Sequence, residues 1–324
     1  MKQEFFEIKF TPAWDAFDQQ LTLLEKNKRK RERLQIEGFA EGYRQICHHL
    51  ALAQTRQYSP YLIDRLNNLA LRGHQQLYQH HGNLFHHFIH FMLISFPLAI
   101  RKEYKLIILA SVLFFGTMIV AGLLTYFYPA LIYHIYPESA VREYTTMYNP
   151  ESHQLFNAKR SSGEDFTMFG FYIKNNIGIG FQTFASGFIL GIGALFNLLF
   201  NGVALGSVAG YMTQLGFTDT FFPFVIGHGA FELTGIAVAG AAGLRLGYGL
   251  LSPGRLSRKD ALIKSAKQAI PLVYGTFLLL FVAAFVEAFW SSSSVVPNTV
   301  KYIVGAGFWV LVLGYFSRGA HRGA

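Results

Sequence analysis

The sequence predicts an all-α, multi-pass membrane bundle with a soluble or interfacial helical region in front of it. Three observations carry this. Apolar runs of about twenty residues, long enough to cross a bilayer as helices, recur after Lys105. Charged residues make up only 15% of the chain, against roughly 25% in soluble domains. The basic residues that give a net charge of +9 gather in a few segments between the apolar runs, as the positive-inside rule expects of cytoplasmic loops. That segregation accounts for the charge better than nucleic-acid binding does. The single cysteine, Cys47, excludes an intrachain disulfide. The charged start, MKQEFFEIKF, is not read as a secretory leader.

Residues 1–105 are expected to form a cytoplasmic helical domain ending in an interfacial juxtamembrane helix. Thr11-Pro12 is a plausible helix start, followed by Trp14, Phe17, Leu21 and Leu24 at helical spacing and a charge run from Lys26 to Arg33, read as a solvated helix end. Phe39, Tyr43, Ile46 and Leu50 mark a second amphipathic helix. After Ser59-Pro60, Leu62, Leu66, Leu69 and Leu77 mark a third. The stretch from His80 to Arg101 is rich in histidine and aromatics and suits a membrane–water boundary. His86 and His90, with His80, His81 or His87, have the residue types of a transition-metal site, but no carboxylate, cysteine or fixed spacing motif accompanies them.

Residues 106–324 form the transmembrane domain. Spans are expected at about 106–128, 176–199, 203–215, 221–244, 270–290 and 302–316. A mixed-charge outer loop at about 129–175, carrying Lys159 and Arg160, separates the first two, and Asn201-Gly202 reads as a tight turn. Basic segments at 101–105, 245–267 and 318–322 place both termini in the cytoplasm and the loop outside. Glycines at four-residue spacing let helix backbones approach closely: Gly187 and Gly191; Gly202, Gly206 and Gly210; Gly235 and Gly243, with Ala239 between them.

The candidate site lies in FFPFVIGHGAFELTGIAVAGAAGL, residues 221–244. His228 and Glu232 are four apart and so share a helix face. A carboxylate in hydrocarbon costs several kcal/mol unless paired, protonated or wetted, which points Glu232 toward a bundle interior. The expected topology sets Glu287, in the next span, at a similar depth. Asn175, Asn176 and Gln182, at the outer start of the second span, are positioned to join the cluster. Three readings stand open: hydrogen bonds that fix helix register, a proton or cation site, and catalysis. No catalytic residue, metal or cofactor is assigned, because His228 and Glu232 supply two ligands where a catalytic zinc takes three and no HExxH motif is present.

The stretch NNIGIGFQTFASGFILGIGALFNLLFNGVALG, then HGAFELTGIAVAGAAGL and FVEAFW, resembles the stage II sporulation protein M family of bacterial and archaeal membrane proteins. FAEGYRQICHHLALAQTR, YLIDRLNNLALRGHQQLY and FPLAIRKEY resemble its longer members, which carry a cytoplasmic helical region. Family members often have proline before the histidine; here it is Gly227. The resemblance implies an inner-membrane protein that organises partners rather than hydrolysing a substrate. In spore formers those partners cleave peptidoglycan; the longer members are encoded beside MoxR-type ATPases and von Willebrand-type domain proteins. The expectation is therefore a scaffold or regulator of an envelope complex, held in membrane lipid and homo-oligomeric, with peptidoglycan-modifying proteins or a MoxR-type ATPase system as partners and no nucleic acid. Its rivals are a transporter or channel using Glu232, Glu287 and His228, and an intramembrane metal-dependent enzyme.

Overall fold

The computed structural model describes residues 2–26, 38–78, 84–151 and 162–321, and it divides into two compact units, Met1–Leu84 and Phe85–Ala324. Most of the charge run after Lys26, together with His80, His81, Lys159, Arg160 and Arg322, lies outside the described residues.

The first unit is a three-helix bundle of α1 (Gln3–Lys26), α2 (Phe39–Thr55) and α3 (Pro60–Tyr78). Phe6, Trp14, Phe17 and Leu21 of α1 pack on Ile46 and Ala53 of α2 and on Leu62, Leu66 and Leu69 of α3. Leu77, expected on the apolar face, is exposed. The start of α1 also differs from expectation, since Pro12 lies inside the helix and not in its first turn. Burial of Phe6 at one end and of Trp14 and Phe17 at the other holds the helix through the one backbone bond that proline cannot make. Ser59 opens α3: its hydroxyl accepts from the Leu62 amide at 3.4 Å, and its own amide and hydroxyl are held by the Gln3 side chain. Arg72 joins α3 to α1 through Asp18 and Glu25.

The second unit begins with α4 (Leu84–His90), a wider π-helical turn at Phe91–Ser95 and α5 (Phe96–Lys102). Only part of this stretch keeps to a surface. Phe96, Ala99 and Ile100 enter the central core of the unit, and the Tyr315 hydroxyl donates to the Met92 carbonyl at 2.5 Å. Next come α6 (Tyr104–Phe127), the short α7 (Ile132–Ile135), α8 (Glu138–Tyr148), α9 (Ser162–Ala185), α10 (Ile192–Gln214), α11 (Thr218–Leu251), α12 (Arg258–Val286) and α13 (Asn298–His321). All of these elements are helical.

Among the described residues, five helices are long and apolar enough to cross a membrane: Tyr104–Phe127, Ile192–Gln214, Thr218–Leu251, Arg258–Ser291 and Asn298–Ser317. The 34-residue α11 is central: 67% of its most apolar stretch is buried, against 44% or less in the other four. At about 1.5 Å per residue it is some 51 Å long, so it reaches beyond the hydrocarbon on at least one side.

Two of the expected spans are corrected. The 176–199 stretch is not one helix, because α9 ends at Ala185 and a reversal follows at 186–191, where Leu190 and Gly191 have φ of 51° and 81°. The 203–215 stretch is the second part of the 23-residue α10, and Asn201-Gly202 is helical rather than a turn. Asn201 bonds the Asn197 carbonyl one turn back at 2.7 Å. α9 lies against α11 and α12, with Lys174, Asn175, Asn176 and Gln182 interrupting its apolar character.

The glycines lie where backbones meet. A methyl group on Gly206 would collide with the Met118 carbonyl of α6, one on Gly210 with the Gly122 carbonyl, and one on Gly202 with Thr117. At the reversal, Gly187 abuts the backbone of Gly243 and Gly191 faces Gly247, both on α11. Gly243 also meets the Thr183 and Phe184 carbonyls, and Gly235 meets Leu280 of α12. The basic segments at 101–105 and 245–267 meet at one end of the unit, where Arg245 pairs with Glu103 at 3.1 Å and bonds Gln268.

Candidate functional site

The site forms where α9, α11 and α12 meet. One turn of α11 presents His228 and Glu232 together, with Nε2 and Oε2 3.8 Å apart. α12 supplies Glu287 at the point where its regular turns give way to a π-helical turn over Glu287–Ser291. Such wider turns are rare and frequent at functional sites. Here Glu287 and Ser291, four residues apart, are both buried and both reach partners on neighbouring helices. Ser291 Oγ lies 3.1 Å from His228 Nδ1. α9 supplies Asn176, whose amide donates to Glu287 Oε2 at 3.3 Å. One ligand-type atom from each of His228, Glu232 and Glu287 lies within 4.8 Å of the other two.

The sequence-predicted residues divide. His228, Glu232, Glu287 and Asn176 come together. Asn175 is exposed and bonds the Asn176 side chain. Gln182, six residues beyond Asn176 and so about 240° around the helix, is exposed and stands outside the cluster. His86, His87 and His90 are exposed in the described part of the histidine-rich stretch, and they form no metal-type group among the described residues.

Three further residues complete the surroundings. Ser291 orients the imidazole. Lys301 of α13 is buried and donates from Nζ to the Ser291 carbonyl at 2.8 Å. Tyr148, at the end of α8, packs edge-on against Phe221 and Phe224 of α11, and its carbonyl accepts from the Thr220 hydroxyl at 2.5 Å. Burial raises the Tyr148 phenol above its ordinary range, and the charges of Glu287 and Glu232 add to the effect. The ring and carbonyl contacts hold this residue of the segment between spans against α11. The SSSS run hid Ser291 among equivalent hydroxyls, and Lys301 read as a span flank. Tyr148 carried no signal, because nothing local marks which loop tyrosine folds back.

Two cavities of about 360 and 440 Å³ lie along α6 and α10. Their walls are mostly apolar, and none of His228, Glu232, Glu287 or Asn176 lines either one.

Fold and site together define a polytopic helical membrane protein with a histidine–carboxylate cluster buried in its bundle. The family model described as stage II sporulation protein M matches residues 110–292, more than half of the chain, and the chain belongs to that family. A second model, a domain of unknown function (DUF8413), matches residues 5–79, within the three-helix unit. No curated protein and no solved structure matches the chain.

Proposed function

We propose that this protein is an inner-membrane scaffold or regulator of an envelope-associated complex, with a rigid membrane bundle and a separate helical module for partners. The observation that carries this is how the cluster is bonded. Asn176 to Glu287, His228 to Ser291 and Lys301 to the Ser291 carbonyl tie α9, α11, α12 and α13 to one another. Buried polar links of this kind fix helix register, and the backbone-to-backbone glycine contacts reinforce them. Such a bundle suits a platform better than a transporter that must rock about its site. The apolar lining of the two cavities supports the same reading.

In this proposal the basic ends at Arg101–Lys105 and Arg245–Lys267 face the cytoplasm with both termini, and α7 and α8 face outward. The three-helix module meets a cytosolic ATPase system, the outer segment meets peptidoglycan-modifying proteins, and the bundle self-associates. The test is in-membrane crosslinking of the full chain, followed by purification of what it holds. The proposal expects envelope or ATPase partners in fixed ratio, at least one of them lost when residues 2–78 are removed. Recovery of the chain alone, together with ion flux in proteoliposomes, overturns it. The second reading, proton or cation handling, is favoured by the convergence of His228, Glu232 and Glu287. It predicts a Glu232→Gln protein that folds and assembles normally but fails complementation, whereas the scaffold reading predicts that function follows stability.

A further inference from the structure

The cluster contains one group that the scaffold reading leaves unexplained. Glu287 has Asn176 and His228 has Ser291, but Glu232 makes no hydrogen bond among the described residues and meets only the imidazole, at 3.8 Å. Its side chain is 13% exposed deep in the most buried helix. The carboxylate therefore faces His228 and Glu287, with no protein donor bonded to it among the described residues. Lys301, which is buried beside Ser291, donates to a backbone carbonyl. Two carboxylates with no cation of their own in a low-dielectric interior are costly unless they are protonated or a compensating charge sits between them.

The geometry points to a divalent metal site: His228 Nε2 and one oxygen each from Glu232 and Glu287 bind a first-row transition ion of the zinc class. The donor set is a mixed imidazole–carboxylate one, with the three ligands usual for zinc sites that keep a position open. The imidazole is already held from behind, since Ser291 Oγ engages Nδ1 and leaves Nε2 toward the carboxylates, as outer partners of metal-bound histidines do. Donors about 2.1 Å from a tetrahedral ion stand about 3.4 Å from one another. The three atoms here lie within 4.8 Å, so closing on an ion takes side-chain shifts of about an ångström. Two carboxylates also neutralise a divalent ion, which removes the cost of burying the three charges separately. The inference does not depend on the scaffold reading, because a register-fixing ion and a functional one would use the same ligands.

The test uses full-length protein purified in detergent, stripped with chelator and returned to buffer. Zn2+ and Mn2+ are titrated against Mg2+ while bound metal and melting temperature are followed, and Co2+ is used as a spectroscopic probe. We expect one Zn2+ per chain, a rise in melting temperature with Zn2+ but not Mg2+, and the intense visible bands of four- or five-coordinate Co2+. Glu232→Gln and Glu287→Gln abolish these, and Ser291→Ala weakens binding about 10–100-fold. Joint replacement of His86, His87 and His90 by alanine leaves them unchanged. The inference is overturned if the wild-type protein gives no stoichiometric uptake or shows only the weak bands of hydrated Co2+. It is also overturned if uptake survives in both Gln variants or vanishes with the surface histidines. The wild-type Co2+ spectrum decides the matter should a Gln variant fail to fold.

Discussion

Replacing Gly206 by alanine adds one carbon to a backbone-to-backbone contact between α6 and α10. That carbon would meet the Met118 carbonyl oxygen of α6 well inside the 3.4 Å at which ordinary contact begins. The obstacle is backbone, so no side chain can swing away, and α6 and α10 must part by about an ångström. Overpacking of this kind costs about 1–3 kcal/mol. For a unit of this size each kcal/mol corresponds to about 2–4 °C, which gives a drop of about 2–12 °C in melting temperature. Gly116, also on α6, is the internal control, since an added carbon there has no heavy atom within 4 Å. Gly116→Ala should be neutral or gain about 0.5–1 kcal/mol from the lower entropy cost of alanine in a helix. Fluorescence-detected size exclusion after heating, in one detergent, measures both variants beside the parent. A Gly206→Ala protein that melts with or above the parent would refute the claim that these backbones touch.

Burial raises the Glu103 carboxyl above its usual 4.5, only partly offset by Arg245 and Lys102. The folded state then holds this proton to higher pH than the unfolded chain, so stability falls as pH rises through the window above 4.5; Glu103→Gln should lose that part of the slope in melts between pH 4 and 8. His49 is shifted the other way, lowered by burial and then by His48, and its Nδ1 accepts from Trp14 Nε1 at 3.1 Å. The three-helix unit should therefore lose stability as pH falls below about 6.5, and tryptophan fluorescence and proteolysis of the full chain should show less of that loss in His49→Gln. For topology, Val295, in the loop before α13, is 89% exposed. A cysteine at Val295 should react with an impermeant thiol reagent on intact cells and one at Ser257 should not; the reverse pattern would invert the proposed orientation.

How far the fold could be read depended on whether hydropathy changed where the backbone did. The span expected at 106–128 is α6 to within two residues, because Arg101, Lys102 and Lys105 precede it and the aromatic run ends it. The 176–199 span failed for the opposite reason. The reversal at 186–191 is made of Ser, Gly, Phe, Ile and Leu, as apolar as a helix interior, so no drop in hydropathy marks it. Its signal was conformational: Gly187, Gly191 and Gly193 crowd one short stretch, and Gly191 takes a left-handed backbone. Asn201-Gly202 misled in the converse way. There the glycine serves close approach to α6 and the asparagine bonds within its own helix.

The site was more legible than the span boundaries around it, because its signal does not depend on them. A histidine and a glutamate four apart in an apolar run must share a face whatever the exact helix ends, and an acid in the neighbouring span must find a partner at its own depth. Even with the second span misplaced, Asn176 kept its place at Glu287, since α9 still runs alongside α11 and α12. What periodicity could not supply was the local change of pitch in α12. In an unbroken α-helix Glu287 and Ser291 would also share a face, but the π-helical turn shifts the register of everything after it. That places the register break at Glu287, with Ser291 behind the imidazole and Lys301 against the Ser291 carbonyl. A helix that served only to span would have no use for such a turn at its buried acid. Its presence there argues that the geometry around His228 and Glu287, and not only their burial, is what this part of the chain is built to hold.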